Sequence, residues 1–211
     1  MGGMPGGMPR GARTTSGSRT ASPSQPNGPT GPAEITKPLK VSLEDLYAGT
    51  TKRLKVGRRL LSGATEEKIL EIEVQPGWKA GTKVRFPHAG NEQPPTGEAQ
   101  DVVFVVEEKP HPRFTRDGND LIAKIQIPLV DALTGTGTTQ TLEMLDGRKM
   151  RLTPPAGIVK PGTETRTSGE GMPIRKGGVG KSRGDLIVKW EVSFPDRLTP
   201  AQKEGLRKIL T

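Results

Sequence analysis

The residues best equipped for chemistry in this 211-residue chain are Lys52-Arg53-Leu54-Lys55-Val56-Gly57-Arg58-Arg59, five cations interleaved with apolar residues and no acid. Side chains alternate across an extended strand, so Lys52, Leu54 and Val56 point one way while Arg53 and Lys55 point the other. An apolar row edged by cations suits an acidic peptide that carries an apolar side chain. On charge alone the same run also reads as a solvated strand face. Other reactive groups do not assemble into a centre. His88 and His111 have neither metal-ligand spacing nor an obvious nucleophile nearby, and read as loop residues. Glu66-Glu67 and Glu107-Glu108 read as solubilising charge at strand ends. Gly180-Lys181-Ser182 resembles part of a phosphate-binding loop, but Arg175 stands where that pattern needs glycine. The segment also leads into a strand, without the helix N-terminus that would hold a phosphate. With no cysteine there is no disulfide, thiolate zinc site or thiol nucleophile. The expectation is a binding protein rather than an enzyme, with no metal and no cofactor.

These residues need a scaffold, and the chain describes one scaffold twice. Leu43-Glu44-Asp45-Leu46-Tyr47-Ala48-Gly49-Thr50 recurs as Leu129-Val130-Asp131-Ala132-Leu133-Thr134-Gly135-Thr136. Ala80-Gly81-Thr82-Lys83 recurs as Pro161-Gly162-Thr163-Glu164, and Gly97 to Val106 is echoed by Gly184 to Trp190. The offsets are 86, 81 and, at the ends of the last pair, 84, so the elements keep their order and the loops change length.

In the first copy, Leu39, Val41 and Leu43 alternate as in a half-buried strand. Ser42-Leu43-Glu44-Asp45 then gives a capping box for a short helix closed at Gly49. Strands are expected at 52–56, 69–74, 83–86 and 101–106. The unbroken run Val102-Val103-Phe104-Val105-Val106 predicts a strand covered on both faces. The second copy gives strands at 121–127, 140–145, 150–152, 164–167 and 186–192, with Asp146-Gly147 as a hairpin turn. Most of the seven aromatics fall in or beside these elements and read as core. Thr199-Pro200-Ala201-Gln202 caps a final helix whose Leu206, Ile209 and Leu210 form one apolar stripe. So short a helix is marginal alone, so its stripe is expected to pack on the second module or on its copy in another chain.

The fold class expected is therefore mainly β: two tandem β-sandwich-like modules, each with a short helix, and a C-terminal dimerisation helix. The boundaries are a Gly/Met/Pro/Ser-rich disordered linker over 1–34, a first module over 35–112, a second over 113–197, and the helix over 198–211. The linker carries too little apolar surface to offset its chain entropy and has no apolar core of a signal peptide. The net charge of +9 splits into +2, +1 and +6 over residues 1–34, 35–112 and 113–211.

Three motifs stand in order along the chain: Val41-Ser42-Leu43-Glu44-Asp45-Leu46-Tyr47, Pro76-Gly77-Trp78-Lys79-Ala80-Gly81-Thr82-Lys83 and Phe114-Thr115-Arg116-Asp117-Gly118-Asn119-Asp120-Leu121. They resemble the C-terminal peptide-binding region of J-domain (DnaJ) heat-shock co-chaperones. Gly169-Glu170-Gly171-Met172-Pro173 and Arg183-Gly184-Asp185-Leu186 extend the resemblance into the second module. Without cysteines for zinc-binding repeats, the likeness is to class B (type II). The family's His-Pro-Asp loop does not occur here, since His111-Pro112-Arg113 ends in arginine.

The resemblance implies a U-shaped homodimer joined by the C-terminal helix and a shallow apolar groove on the first module. The family's peptide-binding positions fall on Leu39, Leu54, Val56 and Phe104, and its lysines for the acidic tail of a DnaK-type chaperone fall on Lys52 and Lys55. One further apolar position falls on Lys37 and one further basic position on Glu67, both departures from the family pattern. The implied partners are a DnaK-type chaperone, unfolded clients and a second copy, in a cytoplasmic or nuclear setting with no membrane. A basic β-rich nucleic-acid-binding protein is the alternative, motivated by a sequence pI near 9.9, but it lacks a stacking platform. A purely structural scaffold is disfavoured because the second module has Thr138-Thr139-Gln140-Thr141-Leu142, without a cation, where the first has its cationic strand.

Overall fold

The computed structural model describes residues 34–175 and 182–210. The expected linker up to residue 33, and Gly180 and Lys181 of the loop-like motif, lie outside them.

The first module runs β1 (Glu34–Val41), α1 (Leu43–Ala48), β2 (Thr50–Arg59), β3 (Thr65–Val74), β4 (Lys83–Phe86), β5 (Glu92–Gln93), β6 (Glu98–Ala99) and β7 (Asp101–Glu108). The second runs β8 (Phe114–Asp117), β9 (Asp120–Pro128), α2 (Leu129–Thr134), β10 (Gln140–Glu143), β11 (Lys149–Leu152), β12 (Glu164–Thr167) and β13 (Leu186–Ser193), followed by α3 (Pro200–Leu210). In the first, β7 has β1 parallel on one side and β4 antiparallel on the other. In the second, β13 has β9 parallel and β12 antiparallel in the same places, with β8 added outside β9. The hairpins β2–β3 and β10–β11 follow the two short helices. The duplication read from the sequence is thus a duplication of topology, and no described strand of one module pairs with a strand of the other. The fold is mainly β, as expected.

Pattern explains most of these elements. Val102, Val103, Phe104 and Val106 are all buried, which accounts for an unbroken apolar run in a central strand. Trp190 takes the equivalent interior place in β13, where its indole N–H donates to Thr165 Oγ1 at 2.8 Å. In α1 the Ser42 hydroxyl accepts from the Asp45 N–H, and Leu43, Leu46 and Tyr47 are buried. Gly49 closes the helix at φ 85°, and a Cβ there would sit 2.9 Å from Pro76 Cδ. By contrast, the N-cap of α2 is Pro128, which offers no side-chain hydrogen bond. The strands β5, β6 and β8 were not expected: β5 and β6 are two residues each, too short to show a period, and in β8 only Phe114 is apolar.

The modules meet through side chains of both. The Tyr47 hydroxyl donates to Asp146 at 3.3 Å and accepts a short hydrogen bond from Arg183, whose guanidinium lies 4.7 Å from the Tyr47 ring centroid. Arg148 extends the network to Asp146 and Glu170. Arg116, with its side chain only 4% exposed, donates to the Trp78 carbonyl at 2.7 Å and lies 3.4 Å from Glu108. Burial lowers the Arg116 pKa and Glu108 opposes the shift. His111 Nδ1 accepts from the Arg113 and Phe114 amides, so Nε2 carries the proton toward Glu44 of α1 at 3.0 Å.

Candidate peptide-binding site

The site grows out of β2. Its register with β3 is continuous over ten pairs from Thr50↔Val74 to Arg59↔Thr65, and its other edge carries no described strand. Burial alternates along it: Lys52 and Leu54 are half-buried and Val56 is buried, while Arg53 and Lys55 are exposed. The division of faces read from the sequence therefore holds along the strand. Lys52 and Leu54 belong to the inner side, and Lys55 to the outer side with Ile69, its cross-strand neighbour.

The other positions that the resemblance assigns to a groove lie deeper. Leu39, Val56 and Phe104 are all buried in the core. Phe104 stands opposite Lys37 and Val84 in the sheet and makes an edge-to-face contact with Phe86, ring centroids 5.9 Å apart. Of the four apolar positions, Leu54 is the one with substantial exposure. Lys37 is half-buried, and Glu67 is exposed.

The cationic run is not a bare positive surface. Lys52 pairs with Asp45 of α1 at 2.8 Å, Arg53 with Glu71 at 2.6 Å, Lys55 with Glu67 at 3.7 Å, and Arg58 with Glu66. These acids stand apart from the run in sequence, but the helix and the hairpin return them to its side. The reading of Glu66-Glu67 and Glu107-Glu108 as merely solubilising is corrected accordingly, since Glu66, Glu67 and Glu108 each hold a named cation. The pairs differ in shielding: the Lys52 side chain is 27% exposed and that of Lys55 73%. Burial pushes the Asp45 pKa up, but hydrogen bonds and charge from Lys52 and hydrogen bonding to Ser42 outweigh it and hold it below its ordinary value.

The second module does not reproduce this surface. Its hairpin strands are four residues long against ten, and β10 carries no Lys or Arg. Its apolar exposure lies elsewhere. A cleft of about 380 Å³ beside α3 is lined by Pro128, Val130, Leu133, Phe194, Leu206 and neighbours. Phe194 is exposed, the exception to the expectation that the aromatics are core.

Sequence reasoning missed the Asp45–Lys52 pair and the Tyr47 network. The signal for the first was confined to Asp45 being the fourth residue of the capping box, which looked purely structural. Nothing in the spacing of Tyr47, Asp146 and Arg183 predicts their meeting.

A parallel β pair with an antiparallel third strand, preceded by a short helix and hairpin and built twice, defines a class of tandem β-module proteins. The chain belongs to the DnaJ C terminal domain family, whose profile matches residues 35–195. It is 44% identical over 181 residues to human "DnaJ homolog subfamily B member 5", covering 83% of this chain and 50% of that protein. It is 43% identical over 173 residues to "Protein psi1" of Schizosaccharomyces pombe, covering 80% of this chain and 44% of that one. To "Protein SIS1" of Saccharomyces cerevisiae it is 40% identical over 171 residues, covering 80% and 46%. The chain thus spans about half the length of these relatives, and the class B resemblance agrees with them.

Proposed function

We propose that this chain is the substrate-binding part of a co-chaperone, which holds unfolded polypeptide segments and docks the acidic C-terminal tail of a DnaK-type chaperone. The observation that carries the reading is the edge of β2 that no described strand covers, with Lys52 beside Leu54 on its inner side. A free edge offers main-chain donors and acceptors to an extended peptide, while the adjacent side chains select among peptides loosely. Lys52 supplies the charge for a carboxylate. Lys55 serves the same ligand from the outer side, where the ligand follows the strand edge. Nothing in this role calls for a catalytic step.

Two weak arms on one dimer would gain by effective concentration. The α3 stripe supports a homodimer. Thr199 and Gln202 cap the helix reciprocally, yet Ile209 and Leu210 are 80% and 66% exposed, with only Leu206 turned into the cleft.

Titration by fluorescence anisotropy tests the reading with three probes: a chemically unfolded reporter polypeptide, an acidic peptide with a free C-terminus, and a short single-stranded RNA. Saturable binding of the first two, with the RNA binding only at low salt, is expected. Tight, salt-resistant RNA binding without peptide binding would replace this reading by the nucleic-acid one.

A further inference from the structure

We propose that Asp45 is a resident anionic occupant of the Lys52 site and sets its charge selectivity. The proposal rests on Lys52 as the tail-docking lysine. An ammonium has three donors, and here one points at a carboxylate of the same chain at 2.8 Å. An incoming carboxylate therefore meets an ion pair rather than a free cation, and the attraction it feels is that of a partly cancelled charge. The peptide must either displace Asp45 or share the ammonium with it, at the cost of bringing two carboxylates together. An uncharged peptide lying along Leu54 meets neither cost.

Asp45 cannot escape by moving its helix. Its N–H donates to Ser42 Oγ and its carbonyl accepts from the Gly49 N–H. Leu43 and Leu46, on the same helix, are fully buried. Two residues on, Tyr47 is held by Asp146 and Arg183, and one residue back Glu44 is held by His111. Rotation of the Asp45 or Lys52 side chain, not movement of the helix, parts the two charges. Lys55 is masked less, because its pair with Glu67 is longer and more exposed. The selectivity of the site thus arises from a residue outside the strand that binds, carried by a helix that the second module pins.

The test is calorimetry of the whole chain and its Asp45→Asn, Lys52→Gln and double variants. The probes are an acidic peptide with a free C-terminus and its amidated Gln/Asn counterpart. Asn keeps the size of Asp45 and the backbone cap, and thermal unfolding checks that each variant is folded. Asp45→Asn should tighten acidic-peptide binding about two- to fivefold, the range of an exposed ion pair. The gain should shrink with added salt, vanish with Lys52→Gln, and be absent for the neutral peptide. Equal or weaker acidic-peptide binding by Asp45→Asn, with the wild type binding, would overturn the proposal and leave tail docking intact. Equal tightening of both peptides would also overturn it, because the effect would then be a loosened groove. Failure of both wild type and Asp45→Asn to bind the acidic peptide would remove the docking reading and this proposal together.

Discussion

At the scale of single residues, Lys52 and Lys55 stand three positions apart in the cationic run but are not equivalent. One is half-shielded on the inner side of β2, beside Leu54 and against Asp45; the other stands in solvent beside Ile69. Charge reversal should separate them. Lys52→Glu is expected to abolish acidic-peptide binding, since it places two carboxylates together, whereas Lys55→Glu should weaken it by a few-fold at most. Anisotropy titrations of the two single variants measure this, and loss of binding in Lys55→Glu alone would reverse the assignment. Phe104 makes a different case. It is 3% exposed in a central strand, so Phe104→Ala should cost about 3–5 kcal/mol of stability, read from urea denaturation. A loss near 1 kcal/mol with binding abolished would instead mark a ring that lines an open groove.

At the scale of elements, α1 does more than its six residues suggest. Its cap, its buried face and its polar residues each bind a different part of the molecule: Ser42 closes its first turn, Asp45 holds β2, Glu44 holds His111 at the junction between the modules, and Tyr47 holds the second module. Ser42→Ala should therefore cost about 1 kcal/mol, the usual loss for a cap. It should also increase amide exchange at the β2 positions next to Asp45, which a merely local cap would leave unchanged. Gly77 tests the contact between modules. It sits at φ 82°, and a Cβ there would come within 2.5 Å of the Pro173 carbonyl oxygen. Gly77→Ala should destabilise by more than about 1 kcal/mol, because strain and collision add. A neutral substitution would show that the 173–175 segment moves aside freely.

For the whole molecule, stability should depend on carboxylates that tertiary contacts hold ionised. At Asp101 the His88 N–H is the main cause of a lowered pKa, assisted by Arg85. Asp146 is raised by burial but lowered more by its hydrogen bonds with Arg148, and Asp45 follows the same pattern with Lys52. A carboxylate whose folded pKa lies below its unfolded one, about 3.9 for Asp, contributes its full stabilisation above that value. The contribution is lost as pH falls through the folded pKa. The urea midpoint should be flat from neutral pH to about 5 and decline below about 4, with a shallower decline in Asp101→Asn. Assembly belongs to this scale too. Deleting Thr199 to Thr211 should halve the sedimenting mass while leaving the β signal in circular dichroism, and a truncated chain that stayed dimeric would remove α3 as the dimer contact.

The sequence by itself determined the local periods and their repetition. Strand bounds at 83–86 and 164–167 were legible to the residue, because turns flank them and alternation fills them. The cap of α1, the Asp146-Gly147 turn and the reciprocal cap of α3 were legible because each is satisfied within a few residues of chain. The alternation that divides Lys52 from Lys55 was legible too, being a property of any extended strand. What the tertiary structure decided was which charges meet. Asp45 reaches Lys52 across a helix and a turn, and Tyr47 reaches Asp146 and Arg183 across 99 and 136 positions. Periodicity reports the face a side chain takes and the chemistry it carries. It does not report which distant segment packs against that face, because that follows from how the apolar interiors of the two modules close. A cationic strand that looked bare in sequence is therefore paired with its own acids in the fold.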